Sequence, residues 1–237
     1  MEFFLLLGFV VGMGHALETD HLVAVGTLAT GKSSRKSLVM RGAVWGLGHT
    51  LTLFAISTAV IVFGLVLTDK MTAAMEFSVG VLLVILGFDV LRRMRKSRVH
   101  FHVHDHGGGK SHLHAHSHLG ATVEHDQDPH EHRHWNAFPV KALIIGLMHG
   151  AAGSAGLLAL AVAASRDTWL ALTYVALFGL GSIVGMAALT FIASWPLGWA
   201  EKSAARLHTA LQLSIACLAV AIGAFVMLST ANAAWGG

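Results

Sequence analysis

Charge is scarce in this chain. Only 12% of its 237 residues are Asp, Glu, Lys or Arg, while 54% are apolar; a soluble domain carries about twice that charged fraction. The formal net charge is only +3, and the cations sit in short clusters beside apolar runs. That pattern sets membrane topology and gives no reason to expect a nucleic-acid partner. Cysteine is scarcer still. The single Cys217 excludes an intrachain disulfide framework and a thiol redox pair. A basic segment is also missing ahead of the first apolar run, which leads into polar residues rather than a small-residue cleavage site, so it does not read as a signal peptide.

What is abundant is apolar sequence in long runs. Six are long enough to cross a bilayer core: about 3–29, 38–67, 72–91, 140–164, 168–195 and 204–229. Lipid offers the backbone no hydrogen-bond partners, and the runs do not alternate as barrel strands do, so each is expected to be helical. The expected fold is an all-α integral membrane protein with six transmembrane helices and the bilayer as its partner.

The basic residues orient it. Lys32, Arg35, Lys36 and Arg41 follow the first run; Arg92, Arg93, Arg95, Lys96 and Arg98 follow the third; Lys141 precedes the fourth; Lys202 and Arg206 join the last two. All fall on one side if both termini face outward, and that side is then the cytoplasm of a bacterial inner membrane.

The runs also repeat. "GMGHALETDH" lines up with "GLMHGAAGSA", setting His15 against His149. "GLGHTLTL" lines up with "GLGSIVGM", setting His49 against Ser182. "VILGFDV" matches "VAIGAFV" more weakly. Three runs per copy is an odd number, so the second copy enters from the opposite side. The expectation is a 3+3 inverted repeat with residues 1–95 and 139–237 as its halves and a substrate site near the midplane between them.

Seventeen histidines need a chemical reason. Within the first run lie His15, Glu18, Asp20 and His21, with apolar sequence on both sides; ionisable groups at such depth face a bundle interior or a pathway. At about 100° per residue, His15, Glu18 and His21 share an arc of about 120°, while Asp20 points nearly opposite to His15. Either the helix breaks here, which Gly12 and Gly14 would permit, or Asp20 does something other than ligate beside the histidines. His49 follows two glycines at comparable depth, and His149 occupies the matching place in the second copy, with Ser154 a weaker candidate. The candidate metal ligands are therefore His15, Glu18, Asp20, His21, His49 and His149. Several imidazoles with a carboxylate suit nickel or cobalt best, with zinc close behind; magnesium and calcium would want oxygen ligands. The ion is expected as cargo, with no prosthetic group.

Residues 96–138 read as a cytoplasmic loop without regular structure. Twelve histidines lie there: His100, His102, His104, His106, His112, His114, His116, His118, His125, His130, His132 and His134. His-x-His alternation suits capture or buffering of a cation with little selectivity.

"HALETDH" resembles the His-x4-Asp-His signature of the nickel/cobalt transporter family, and the likeness extends to His49. With Glu18 in place the segment is most similar to a compact branch labelled UreH-like. The resemblance implies secondary-active or facilitated movement of Ni2+ or Co2+, with His15, Asp20, His21 and His49 at the metal, a link to a cytosolic metallochaperone or a urease or hydrogenase accessory protein, and room for a homo-oligomer. The chain has six runs where larger importers have eight, and "LGFDV" around Asp89 lacks the Thr and Glu of their later acidic motif. The rivals are Zn2+ or broad-range metal efflux, metal delivery without transport, and a membrane haem protein. No enzymatic activity is expected: "HALETDH" is not His-Glu-x-x-His, and no nucleophile stands near it.

Overall fold

A computed structural model describes residues 2–30, 34–96, 100–105, 111–116, 139–152, 167–203 and 205–236. The described membrane-like part is helical. The first apolar run forms two helices, α1 (Glu2–His15) and α2 (Thr19–Ala29), bent by 56° across Ala16–Glu18. Then come α3 (Arg35–Phe63) and α4 (Asp69–Lys96), a hairpin of β1 (His100–Asp105) and β2 (Ser111–His116), and α5 (Val140–Ala152), α6 (Thr168–Ser203) and α7 (Ala205–Trp235). Four helices, α3, α4, α6 and α7, are long and apolar enough to cross a membrane, and α1 with α2 makes a fifth if the bent pair is one span. The 13-residue α5 is apolar but short; residues 153–166, where the fourth run was expected to continue, lie outside the described residues. Phe3, Phe63, Trp169, Phe225 and Leu228 point outward, and so broad an apolar exterior is a surface for lipid.

Local sequence sets the helix ends. Ser34 caps α3 by accepting a hydrogen bond from the Ser37 backbone N–H at 3.3 Å. Gly64 ends α3 in the left-handed region at φ 66°, where its N–H reaches the Val60 carbonyl. The break after His15 is tightened by Leu17 N–H to Gly14 O at 2.9 Å and Glu18 N–H to His15 O at 3.1 Å, three-residue bonds typical of a helix that is stopping. Glu18 is extended at φ −63°, ψ 150° and restarts the chain in a new direction.

Helix α3 is central, packed on α5 and α6; α1 packs on α6, and α4 on α7. Two seams are very close. A Cβ on Gly48, Gly146 or Gly150 would strike the carbonyls of Leu143, Trp45 and His49 respectively, so α3 and α5 meet backbone to backbone. On the opposite flank, Gly12 and Gly181 meet the carbonyls of Phe178 and Phe9 in the same way, joining α1 to α6. The main core includes Ala24, Trp45, Leu83 and Met186, all fully buried. A second cluster of Leu53, Tyr174, Val175 and Phe178 closes over Phe4 and Val11.

At one end, a polar strap joins three helices. Arg93 of α4 donates to the Thr30 carbonyl at 3.1 Å and the Thr27 carbonyl at 3.4 Å, satisfying the last carbonyls of α2. Asp89 accepts from Lys141 of α5 at 2.6 Å and lies 3.5 Å from Arg93. The end of α4 is thus ion-paired through Asp89, by Arg93 of its own helix and by Lys141 of α5.

Within the histidine-rich segment, read from sequence as lacking regular structure, residues His100–Asp105 and Ser111–His116 form two strands. The β1–β2 ladder is antiparallel and sets His100 opposite His116, His102 opposite His114, and His104 opposite His112. The physical reason lies in the alternation itself: His-x-His has the two-residue period of a strand.

Candidate metal centre

The break between α1 and α2 builds the site. It lets His15, at the last position of α1, and His21, in the first turns of α2, point to one place despite the change of axis. His49 arrives from mid-α3 and His149 from α5. All four are buried: His49 is 0% exposed, His21 and His149 1%, and His15 9%. The His21 ring lies at the hub, its centroid 4.6 Å from both His15 and His149 and 5.2 Å from His49.

Two carboxylates hold these rings. Glu18 Oε1 accepts from His15 Nδ1 at 2.7 Å. Asp20 Oδ1 accepts from both the His21 backbone N–H at 2.9 Å and His21 Nδ1 at 3.0 Å, while its Oδ2 accepts from His149 Nε2 at 2.9 Å. An ionised carboxylate only accepts, so the facing imidazole nitrogens carry the hydrogens. For His15 and His21 this leaves Nε2 as the lone-pair nitrogen. Among the described residues both Nε2 atoms are buried without a partner, as are both nitrogens of His49 and Nδ1 of His149. An unmade hydrogen bond on a buried polar group costs about 1–3 kcal/mol, so this many in one cluster calls for a ligand role.

The spacing fits one. Ligand atoms of His15, His21 and His49 all lie within 4.8 Å of one another, and so do those of Asp20, His21 and His149. Tetrahedral ligands about 2.1 Å from a metal stand roughly 3.4 Å apart, so ring rotations of about an ångström close either set. Each of the four histidines supplies neutral nitrogen, the donor that suits late divalent metals.

All six membrane candidates therefore come together, in two tiers. His15, His21 and His49 present open nitrogens; Glu18 and Asp20 brace imidazoles; His149 reaches the others through Asp20. The two acids differ in exposure, 56% for the Glu18 side chain and 29% for Asp20. Ser182, the counterpart of His49, points elsewhere, its hydroxyl donating to the Gly12 and Phe178 carbonyls. Ser154 lies outside the described residues, as do His106, His118, His125, His130, His132 and His134.

Sequence reading missed Trp45 and Phe178. The Trp45 ring lies 5.5 Å from that of His21 and 5.7 Å from that of His149, and its Nε1 is buried without a partner among the described residues. Phe178 lies 5.3 Å from His15. Trp45 stands one helical turn before His49, a spacing that could have flagged it. Nothing in the apolar run around Phe178 distinguishes it.

The sequence profile of the family described as NicO, high-affinity nickel-transport protein, matches residues 1–236. Urease accessory protein UreH from Bacillus sp. (strain TB-90) is 30% identical over 207 residues, covering 87% of this chain and 82% of that protein. No solved structure gives a significant match.

Proposed function

The chain belongs to the high-affinity nickel-transport protein family, and from that premise we propose that it carries Ni2+, with Co2+ as the next candidate, across a bacterial inner membrane through the histidine cluster. The observation that carries the site assignment is the set of three buried imidazoles from α1, α2 and α3, two of them braced at Nδ1 by carboxylates so that Nε2 is left for the ion. His15, His21 and His49 are the ligands. Glu18 and Asp20 fix tautomer and ring orientation, as carboxylates do behind metal-bound histidines. Imidazole ligands must be deprotonated at the binding nitrogen, so protons compete with Ni2+ and binding weakens as pH falls.

The membrane arrangement in this reading is six spans in a 3+3 inverted repeat, with both termini outside and residues 96–138 cytoplasmic. The basic connections support the orientation. Recurrent contacts support the repeat: Gly12 on the Phe178 carbonyl matches Gly146 on the Trp45 carbonyl, Gly181 on Phe9 matches Gly48 on Leu143, and Gly46 on Ile183 matches Gly179 on Thr50, at an offset of about 133 residues throughout. The histidine-rich loop serves as a cation trap on the cytoplasmic side. The urease accessory relative supports a urease or hydrogenase accessory protein as the cytosolic partner there.

Ni2+ flux into sealed proteoliposomes tests the reading. Wild-type protein and a form lacking residues 100–134 both carry the ion, while His15→Ala and His21→Ala do not. Wild-type rates in both point variants would overturn it, and flux abolished only by the loop deletion would favour metal delivery by the loop over a membrane pathway.

A further inference from the structure

We infer that the cluster holds two overlapping nickel stations, one of His15, His21 and His49 and one of Asp20, His21 and His149, and that His21 passes the ion between them. This rests on the transport reading and deepens it.

The geometry has two triads that share one residue. Each brings its three ligand atoms within 4.8 Å of one another. The shared His21 stands 4.6 Å, ring to ring, from His15 on one side and 4.6 Å from His149 on the other. The stations differ in chemistry. The first is three neutral nitrogens, with His49 fully buried and Phe178 packed over His15. The second adds the carboxylate charge of Asp20, whose side chain is 29% exposed. The second station also contains residues from both halves of the chain, Asp20 and His21 from α2 and His149 from α5.

The transfer balances within the rings. In the first station His21 binds through Nε2 and keeps its hydrogen on Nδ1, facing Asp20 at 3.0 Å. An ion between Asp20, His21 Nδ1 and His149 Nε2 displaces the two hydrogens shared there. One moves to His21 Nε2, which the ion has just released. The other moves to His149 Nδ1, which is buried and has no partner among the described residues. No proton is gained or lost by the protein. Because both stations need His21, one ion occupies the cluster at a time.

The test uses the full chain in lipid, with nickel-edge anomalous diffraction to locate the ion by position, so that metal held by the loop is not confused with metal in the cluster, and flux measured alongside. His149→Ala retains a peak among His15, His21 and His49; His49→Ala retains one beside Asp20 and His149; each lowers flux at least tenfold. Gln variants at both positions, which keep bulk and polarity, give the same pattern. Wild-type flux in His149→Ala and His149→Gln, or absence of any peak beside Asp20 in both His49 variants, overturns the two-station scheme while leaving the transport site standing. A wild-type map with no nickel in the cluster overturns both.

Discussion

His15 and His149 are packed alike and hydrogen-bonded unlike. Each lies in the first helix of its half, each lies beside an aromatic ring of the other half, Phe178 at 5.3 Å and Trp45 at 5.7 Å, and each of their helices presents a glycine to a carbonyl across the seam, Gly12 to Phe178 and Gly146 to Trp45. The acids break the likeness. His15 has Glu18 three residues on in its own chain segment, at 2.7 Å. His149 is followed by Gly150, Ala151 and Ala152 and takes Asp20 from the first half. Packing is duplicated and chemistry is not. A second half with no carboxylate close behind its histidine has to close on the first to satisfy it, which makes the Asp20–His149 hydrogen bond a direct polar link between the halves at the site.

The comparison breaks hardest at His21, which both triads share. His21→Ala is expected to lower nickel affinity of the cluster beyond the roughly 100-fold that loss of an orienting partner reaches, measured by Ni2+ binding and flux. Asp20→Asn comes next. Its amide offers one carbonyl where the carboxylate offers two acceptors, so one of the two imidazoles loses its partner and affinity falls by about 10–100-fold; an unchanged affinity would remove Asp20 from the site.

The glycines test the duplicated part. Gly12→Ala and Gly146→Ala each force a Cβ against a carbonyl, and overpacking of this kind costs about 1–3 kcal/mol. The two losses in thermal or denaturant stability are expected to agree within about 1 kcal/mol. A large difference would show that the two seams are not equivalent. Glu18→Gln has the smallest effect, near tenfold or less on nickel affinity, because the side chain is 56% exposed and a glutamine carbonyl still accepts from His15 Nδ1.

Much of this was legible in residue order. The helices follow from apolar runs that lipid forces to satisfy their own backbones, and His49 was marked by the glycines before it. The arc of His15, Glu18 and His21 posed a choice between a broken helix and another role for Asp20. The break is there: the chain turns after His15, and Asp20 accepts hydrogen bonds from His21 and His149. What was not legible is tertiary. Only the fold brings Asp20 to His149, Trp45 to His21, or Arg93 to the carbonyls of Thr27 and Thr30, since apolar rings and helix-end cations look the same in sequence whether or not they touch a site. The hairpin of His100–Asp105 and Ser111–His116 was present in the alternation but was outweighed by a polar, glycine-rich composition.

On the proposed reading, imidazoles from α1, α2 and α3 hold nickel, braced from behind by the acids of the first half. Crystals of the wild-type protein grown with Ni2+ and measured on both sides of the nickel edge test it most directly. The expected result is an anomalous peak about 2.1 Å from Nε2 of His15 and of His21 and from one nitrogen of His49, with Glu18 and Asp20 still on the Nδ1 side. Anomalous peaks confined to residues 100–134 would contradict it.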